Sequence, residues 1–563
     1  MRSSSSPSPW KAFRLHILLG LAAVLVLLAA GFAVGQDRTI TTPVSIAQDQ
    51  LAAGAYTVNQ VVQSGRQFFA VPFLKEDGHG EGNTGPRSGQ RSLQWAGSTT
   101  DPLSIPFLRV NGLDSQSCFA CHNSAGTYVP KGELYRTQKP GQVGGAGDFA
   151  VALLQNDDYP NTLSHILRVP PRVFGSAYLQ ELALEMTGDL LAIQQQAIQQ
   201  AKLNPGKAVT LKLSTKGVDF GAITVTCPDP TCAKPAIDTT AVEGVSADLI
   251  VRPFQHKGVA ATLRSFTKSA LNFHHSMQAV EVVGINTDCD GDGFINELAV
   301  DNVNPVSGVS SLPVQQSLGN VAALVAFTGM LRPPAQVPSG DSDKGLSLFN
   351  TIGCGGCHVN SLKTRPDPKL RIQLAQPAAG CPTNCGPYGC QQLGSFSEAD
   401  ATTHPAVLAA QAQAALPGTS HACPAGFYCI DLTNPGSVPP EFLPRLPANS
   451  DLTVTVPLFS DLKRHDMGKF LAQVDPKQAD DAGNNIPNRE WLTSKLWGVV
   501  DNGPWIHDGR ARSLREAILM HAGPNGTDTD SDASSVIAAF LALSPADQQA
   551  IIDFLESLTI PNP

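Results

Sequence analysis

The pattern Cys-x-x-Cys-His occurs twice, at Cys118-Phe119-Ala120-Cys121-His122 and at Cys354-Gly355-Gly356-Cys357-His358. The chain has 12 cysteines and 13 histidines in 563 residues. At that frequency one match arises by chance with an expectation of roughly 0.006. A disulfide beside an ordinary histidine would need two such coincidences. A thioredoxin-like redox pair would need a strand–helix context that neither site has. The pattern has a chemical reason. Two thiols, set apart by two residues, add to the two vinyl groups of a porphyrin. The next histidine then lies under the iron and supplies a nitrogen ligand. Cys118, Cys121, Cys354 and Cys357 are therefore the expected attachment points of two covalent c-type haems, with His122 and His358 as iron ligands. Each haem needs a cavity of its own, so the chain is expected to form two cytochrome c-like domains.

The attachment machinery works outside the cytoplasm, and the N-terminus agrees. Arg2, Lys11 and Arg14 precede an apolar run from Ile17 to Gly35, the order of an export signal. Ala33-Val34-Gly35 offers small residues for cleavage. About 20 apolar residues can also span a bilayer, so a retained anchor with its basic end inside is the alternative. The formal net charge of -9 argues against nucleic acid as a partner. An exported, periplasmic protein follows from these features.

Residues 1 to 45 read as leader and linker, 50 to 335 as a first haem domain and 336 to 563 as a second. The expected fold is mainly α, with long loops, because glycine and proline number 50 and 43. Gly65-Arg66-Gln67-Phe68-Phe69 reads as a helix before the first motif, and Asp343 to Phe349 as an amphipathic helix before the second. Leu179 to Leu203 is strongly helical in pattern. Ala208 to Val225 alternates and predicts a small β-hairpin. Ser544 is an N-cap followed by Pro545. The helix it starts, through Phe554 and Leu558, is like the terminal helix that packs across cytochrome c.

Eight cysteines lie outside the two motifs. In an oxidising compartment disulfides are their default, and Cys227 and Cys232 are expected to pair. A Cys- and Pro-rich insertion from 377 to 447 holds five more: Cys381, Cys385, Cys390, Cys423 and Cys429. Asp288-Cys289-Asp290-Gly291-Asp292-Gly293 sets carboxylates at alternate residues, with Asn296 and Glu297 beyond. That spacing collects oxygen ligands for calcium, although Ala299 stands where an EF-hand carries glutamate.

The ligand on the second face of each iron decides what that iron can do. Met467, in His465-Asp466-Met467-Gly468, is one candidate for the second haem, and His465 competes with it. The stretch His465 to Gly468, then Glu490-Trp491-Leu492-Thr493 and Leu496-Trp497-Gly498, then His507-Asp508-Gly509-Arg510-Ala511 resembles the di-haem oxidoreductase family. That family is related to the bacterial di-haem cytochrome c peroxidases. In the peroxidases a Met-Gly pair gives the sixth ligand of the electron-transferring haem, and Met467-Gly468 is similar. Aligning Phe254 to Gly258 on the peroxidase segment places His256 where a tryptophan stands between the haems. The same alignment puts Ser276-Met277 at a Glu-Met pair whose glutamate is the acid–base group. Serine cannot replace that carboxylate. His274 and His275, just before it, become the candidates: acid–base groups, ligands of the first iron, or neither.

The resemblance implies that electrons enter at the haem of His358 and reach the haem of His122, where hydrogen peroxide is reduced. A monohaem cytochrome or a cupredoxin would be the donor. Two other readings stay open: a di-haem electron carrier without catalysis, and an enzyme that activates oxygen against an organic substrate.

Overall fold

The computed structural model describes residues 43–71, 117, 118, 122, 149–150, 166–167, 169–275, 319–331, 333, 336–338, 340–376, 423–433, 436, 446–472, 478–500 and 503–559. All the elements below belong to one compact unit, Val44–Pro563. The helices are α1 (Gln48–Ala52), α2 (Val58–Ala70), α3 (Ser176–Lys202), α4 (Leu263–His275), α5 (Asn320–Gly329), α6 (Ser342–Thr351), α7 (Leu514–Met520), α8 (Ser534–Ala542) and α9 (Pro545–Ser557). The strands are short: β1 (Phe149–Ala150), β2 (Ile166–Leu167), β3 (Ala208–Thr215), β4 (Val218–Thr226), β5 (Ala236–Asp238), β6 (Leu362–Lys363) and β7 (Lys369–Gln373). They continue as β8 (Phe427–Asp431), β9 (Thr455–Val456), β10 (Arg464–Asp466), β11 (Gln478–Ala479), β12 (Asn485–Ile486) and β13 (Glu490–Leu492).

Two helix pairs cross in the same way. In the first, Gly65 of α2 lies against Ala323 and Phe327 of α5 so closely that a Cβ would overlap the Ala323 carbonyl. In the second, Gly345 of α6 meets Ala550 and Phe554 of α9 in the same manner. Four residues beyond each glycine, one turn on, stands a phenylalanine. Phe69 packs edge-on against Phe327 at 5.2 Å and 61°. Phe349 packs against Phe554 at 5.1 Å and 61°. Only glycine allows this approach, and the aromatic pair then seals the contact. The helix starts follow from local chemistry. Thr57 and Gln60 form a reciprocal capping box for α2. The Ser544 hydroxyl accepts from the Asp547 amide ahead of α9, with Pro545 in the first turn.

The expected helices before each motif, the long helix and the hairpin are all present. The mainly α expectation needs correction. The described residues carry thirteen strands beside nine helices, so the fold is mixed. Most strands are two to five residues long and pair locally, as β6 with β9, β7 with β8 and β10 with β13. Ladders this short leave no alternating apolar pattern to read. The hairpin β3–β4 gains a third strand, β5, and Cys227 is disulfide-bonded to Cys232 at its end. From the Cys-rich insertion, β8 pairs with β7, and Cys423 bonds Cys429.

A large apolar core gathers side chains of α2, α3, α5, the hairpin and β7–β9. A smaller one joins Phe349, Phe459, Leu514, Phe540 and Phe554. The first half of α3 is buried all round, Glu181 and Glu185 included. Those carboxylates are satisfied. Glu181 pairs with Arg371. Glu185 accepts from the Arg365 amide at 2.8 Å and pairs with Lys216 at 2.5 Å. Among the described residues no helix is long and apolar enough to cross a membrane.

Candidate haem sites

Each helix crossing delivers a Cys-x-x-Cys-His turn to the same place. The His358 amide donates to the Cys354 carbonyl at 2.9 Å, and the His122 amide to the Cys118 carbonyl at 3.0 Å. The His358 ring lies 6.1 Å from Phe349, and the His122 ring 6.2 Å from Phe69. The motif histidines therefore hold equivalent positions on the two crossings. Cys121 lies outside the described residues.

Around the second motif the structure has a cavity of about 290 Å³. Cys354, Cys357 and His358 form one part of its wall. Met467, Trp491, Trp505, His507 and His521 line it too, with a mostly aliphatic remainder from α7, α8 and α9. Such a pocket, apolar with a few polar groups, suits a prosthetic group. Cys354 and Cys357 are not bonded to each other. Burial pushes the Cys354 thiol up to about 12, so it stays protonated.

Two histidines have the form of metal ligands. His358 Nδ1 bonds the Phe459 carbonyl at 2.9 Å, and His521 Nδ1 bonds the Ala517 carbonyl at 2.8 Å. Each bond fixes the ring and leaves Nε2 for a metal, the arrangement that orients ligating imidazoles. Burial, with His521 nearby, brings His358 down to about 4, and burial lowers His521 as well. Both are neutral and able to donate a lone pair. Their ring centroids stand 6.3 Å apart with the ring planes at 64°. With both Nδ1 atoms engaged, these two imidazoles and the Cys354 and Cys357 sulfurs could together hold a haem.

The other expected ligands fall as follows. Met467 is in the cavity wall, its amide donating to the Arg489 carbonyl at 2.9 Å. His465 is there too, but both of its ring nitrogens are engaged. Nε2 meets Asp461 at 2.7 Å and Nδ1 meets Cys357 Sγ at 3.8 Å. Burial opposes its charge, yet the bonds to Asp461 and Cys357 outweigh burial and raise it to about 10. Cys357, Asp461 and His465 lie close enough to hold a metal ion. The Cys357 sulfur, however, is the one that the haem motif uses.

His256 lines the same cavity, and its Nε2 is bonded to the Val169 carbonyl at 2.8 Å. His507 stacks on Trp491 at 3.8 Å and 19°. Lys257 Nζ also meets the Trp491 ring, 4.4 Å from its centroid, and donates to the carbonyls of Pro487, Asn488 and Glu490. Gly509, at φ 72°, adopts the left-handed conformation that glycine allows in a tight turn. His274 and His275 close α4, and their side chains lie outside the described residues. So do Ser276, Met277 and the loop of Asp288, Asp290, Asp292, Asn296 and Glu297.

The comparisons can now be set against this geometry. Residues 449–558 match a family model described as "Di-haem oxidoreductase, putative peroxidase". This is the segment that the sequence resemblance rested on. It holds His465, Met467, Trp491, His507 and His521, so the family pattern coincides with much of the cavity wall facing Cys354–His358. Comparison with curated proteins and with solved structures gives no match.

His521 escaped the sequence reading. Its signal was modest: a histidine closing the short apolar helix that follows the His-Asp-Gly turn. Only the fold brings it to His358.

Proposed function

We propose that this chain is a periplasmic di-haem c-type oxidoreductase of the peroxidase kind, built on two cytochrome c-like units. The observation that carries the reading is the His358–His521 pair, half-buried, anchored through both Nδ1 atoms and spaced at 6.3 Å. Cys354 and Cys357 would hold one haem covalently, and Cys118, Cys121 and His122 the other. When bound, the C-terminal haem would supply a closed, electron-exchanging iron and the N-terminal haem the iron at which hydrogen peroxide is reduced to water. The chain's own part is positional. Phe349 and Phe69 back the motif histidines, and the Phe459 and Ala517 carbonyls set the imidazole tautomers. The wall of the second cavity is mostly aliphatic and aromatic. The leader supports export, and a monohaem cytochrome or cupredoxin is the proposed donor. The calcium loop would be a separate structural site.

Met467 lines the same wall and is the alternative sixth ligand. Protein matured in a c-type host should carry two haems that survive denaturation. His521→Ala should open the C-terminal iron to cyanide, while Met467→Ala leaves it closed. The reverse pattern would assign the ligand to Met467. A protein with no covalent haem, or one whose reduced form is not reoxidised by hydrogen peroxide, would overturn the function.

A further inference from the structure

The wall of the second cavity contains one arginine and one lysine among the described residues, Arg172 and Lys495. They are adjacent. Arg172 Nη1 donates to the Lys495 carbonyl at 2.9 Å. Both backbones are clamped. The Val169 amide donates to the His507 carbonyl at 3.0 Å, and the Gly175 amide to the Leu331 carbonyl at 3.0 Å. Gly175, at φ 60°, also lies so close to the Trp497 ring that a Cβ would overlap it. On the other side, the Leu496 amide donates to the Leu458 carbonyl at 3.2 Å, and Trp497 Nε1 to the Pro457 carbonyl at 2.7 Å.

An ammonium held beside a guanidinium in an apolar wall is unfavourable unless an anion meets it, and Lys495 is such a group. Arg172 is buried, and Lys495 makes no ion pair or side-chain hydrogen bond among the described residues. The one carboxylate in the wall among the described residues, Asp532, is already engaged. Its Oδ2 accepts from the Asp466 amide at 3.0 Å and stands 3.7 Å from His465 Nδ1. Burial, then the Arg172 charge, bring Lys495 down to about 7. A neighbouring anion would restore its charge.

The proposed haem brings anions of its own, since a porphyrin of this type carries two propionate carboxylates and otherwise presents an apolar edge. We propose that Arg172 and Lys495 bind the propionate carboxylates of the haem attached at Cys354 and Cys357. The assignment rests on that cavity holding the haem. It gives segment 169–172, far from the motif in sequence, a definite role: it brings a guanidinium to the cavity. A guanidinium presents a planar fork to a carboxylate, and an ammonium a point charge, so the two are complementary partners.

The same two cations could instead hold a free small carboxylate. The experiment separates these sources. Holoprotein of Lys495→Met and of Arg172→Lys is compared with wild type, after confirming two covalent haems and an unchanged axial spectrum. Resonance Raman spectroscopy reads the propionate bending modes, and a redox titration reads two potential waves. Removing a positive charge beside the haem stabilises the oxidised form. Lys495→Met should therefore shift one wave to lower potential and displace the propionate modes of one haem. Arg172→Lys keeps the charge and should displace the modes with a smaller change in potential. Unmoved modes in both variants would overturn the proposal. So would a saturable spectral response to acetate that wild type shows and Lys495→Met lacks while the modes stay in place. A variant or wild type with no haem at Cys354 and Cys357 refutes the cavity assignment itself and is recognised by the haem count.

Discussion

Gly345→Ala tests the helix crossing that places the second motif. In an isolated helix the change stabilises, because alanine exceeds glycine in helix propensity by about 1 kcal/mol. Here the new methyl meets the Ala550 carbonyl in overlap and stands 2.8 Å from Phe554 Cβ, where ordinary contact begins near 3.4 Å. Helices α6 and α9 must part by about an ångström or more, and the Phe349–Phe554 contact at 5.1 Å opens with them. Overpacking of a close interface costs about 1–3 kcal/mol and occasionally more. The backbone carbonyl cannot rotate aside, which puts this site at the upper end. Net destabilisation should be about 2 kcal/mol after the propensity gain. Urea unfolding of the holoprotein, followed by haem absorbance and by far-ultraviolet circular dichroism, measures it. Ser347→Ala, on the exposed face of the same helix, should be neutral or slightly stabilising. Gly65→Ala should behave like Gly345→Ala, since its methyl meets the Ala323 carbonyl. A Gly345→Ala protein as stable as Ser347→Ala would refute the crossing as described.

Glu185 should give stability a pH slope. Burial first, and Glu181 second, raise its carboxyl from 4.5 to about 7, against the pull of Lys216 and the Arg365 amide. A carboxyl raised in the folded state contributes its stability fully below the unfolded value. That contribution is lost as pH climbs through about 7. Wild type should lose more of its urea midpoint between about pH 5 and about pH 8 than Glu185→Gln does, and equal losses would count against this burial. Lys257→Met should lower stability by about 3 kcal/mol, because three backbone carbonyls lose their donor in a buried place. Near-ultraviolet circular dichroism of Trp491 should change with it, and an unaltered Trp491 signal would show that the ammonium does not hold that ring.

Local patterns are legible wherever they are self-contained. The helices at Gly65 and Asp343, the Ser544 cap and the hairpin from Ala208 depend on residues within a few positions of each other. The Cys227–Cys232 pair is of the same kind. What depends on distant partners was not legible. α3 reads as an apolar helix, yet Glu181 and Glu185 are among its buried residues because Arg371 and Lys216 arrive from later strands and turns. His521 became a ligand candidate only because the second helix crossing carries His358 to it. The two-residue ladders escaped because side chains in so short a strand set no period. Met467 was chosen on a Met-Gly pair, and the fold sets it in the same wall as a histidine better anchored to bind iron.

The repeated crossing makes the two motifs equivalent in frame and leaves their surroundings to make them differ. Phe69 and Phe349 back their histidines at nearly the same distance, 6.2 and 6.1 Å. Between His122 and α5, however, the chain inserts α3 and its hairpin. The strap that leads into α3 contributes Val169 to Arg172 to the cavity around Cys354–His358, and the turn ahead of α4 adds His256. The second cavity is therefore built from both halves of the sequence. His256 and His507 are joined through one residue, since the Val169 carbonyl meets His256 Nε2 at 2.8 Å and its amide donates to the His507 carbonyl. His507 in turn stacks on Trp491. An altered charge in that cavity acts on side chains and backbone contributed by the first half. This gives a physical route, through packed and hydrogen-bonded groups, by which a charge in that cavity reaches residues of the first half. The family match, confined to 449–558, covers only part of that wall: the remainder comes from the Cys354–His358 turn, from Val169 to Arg172 and from His256.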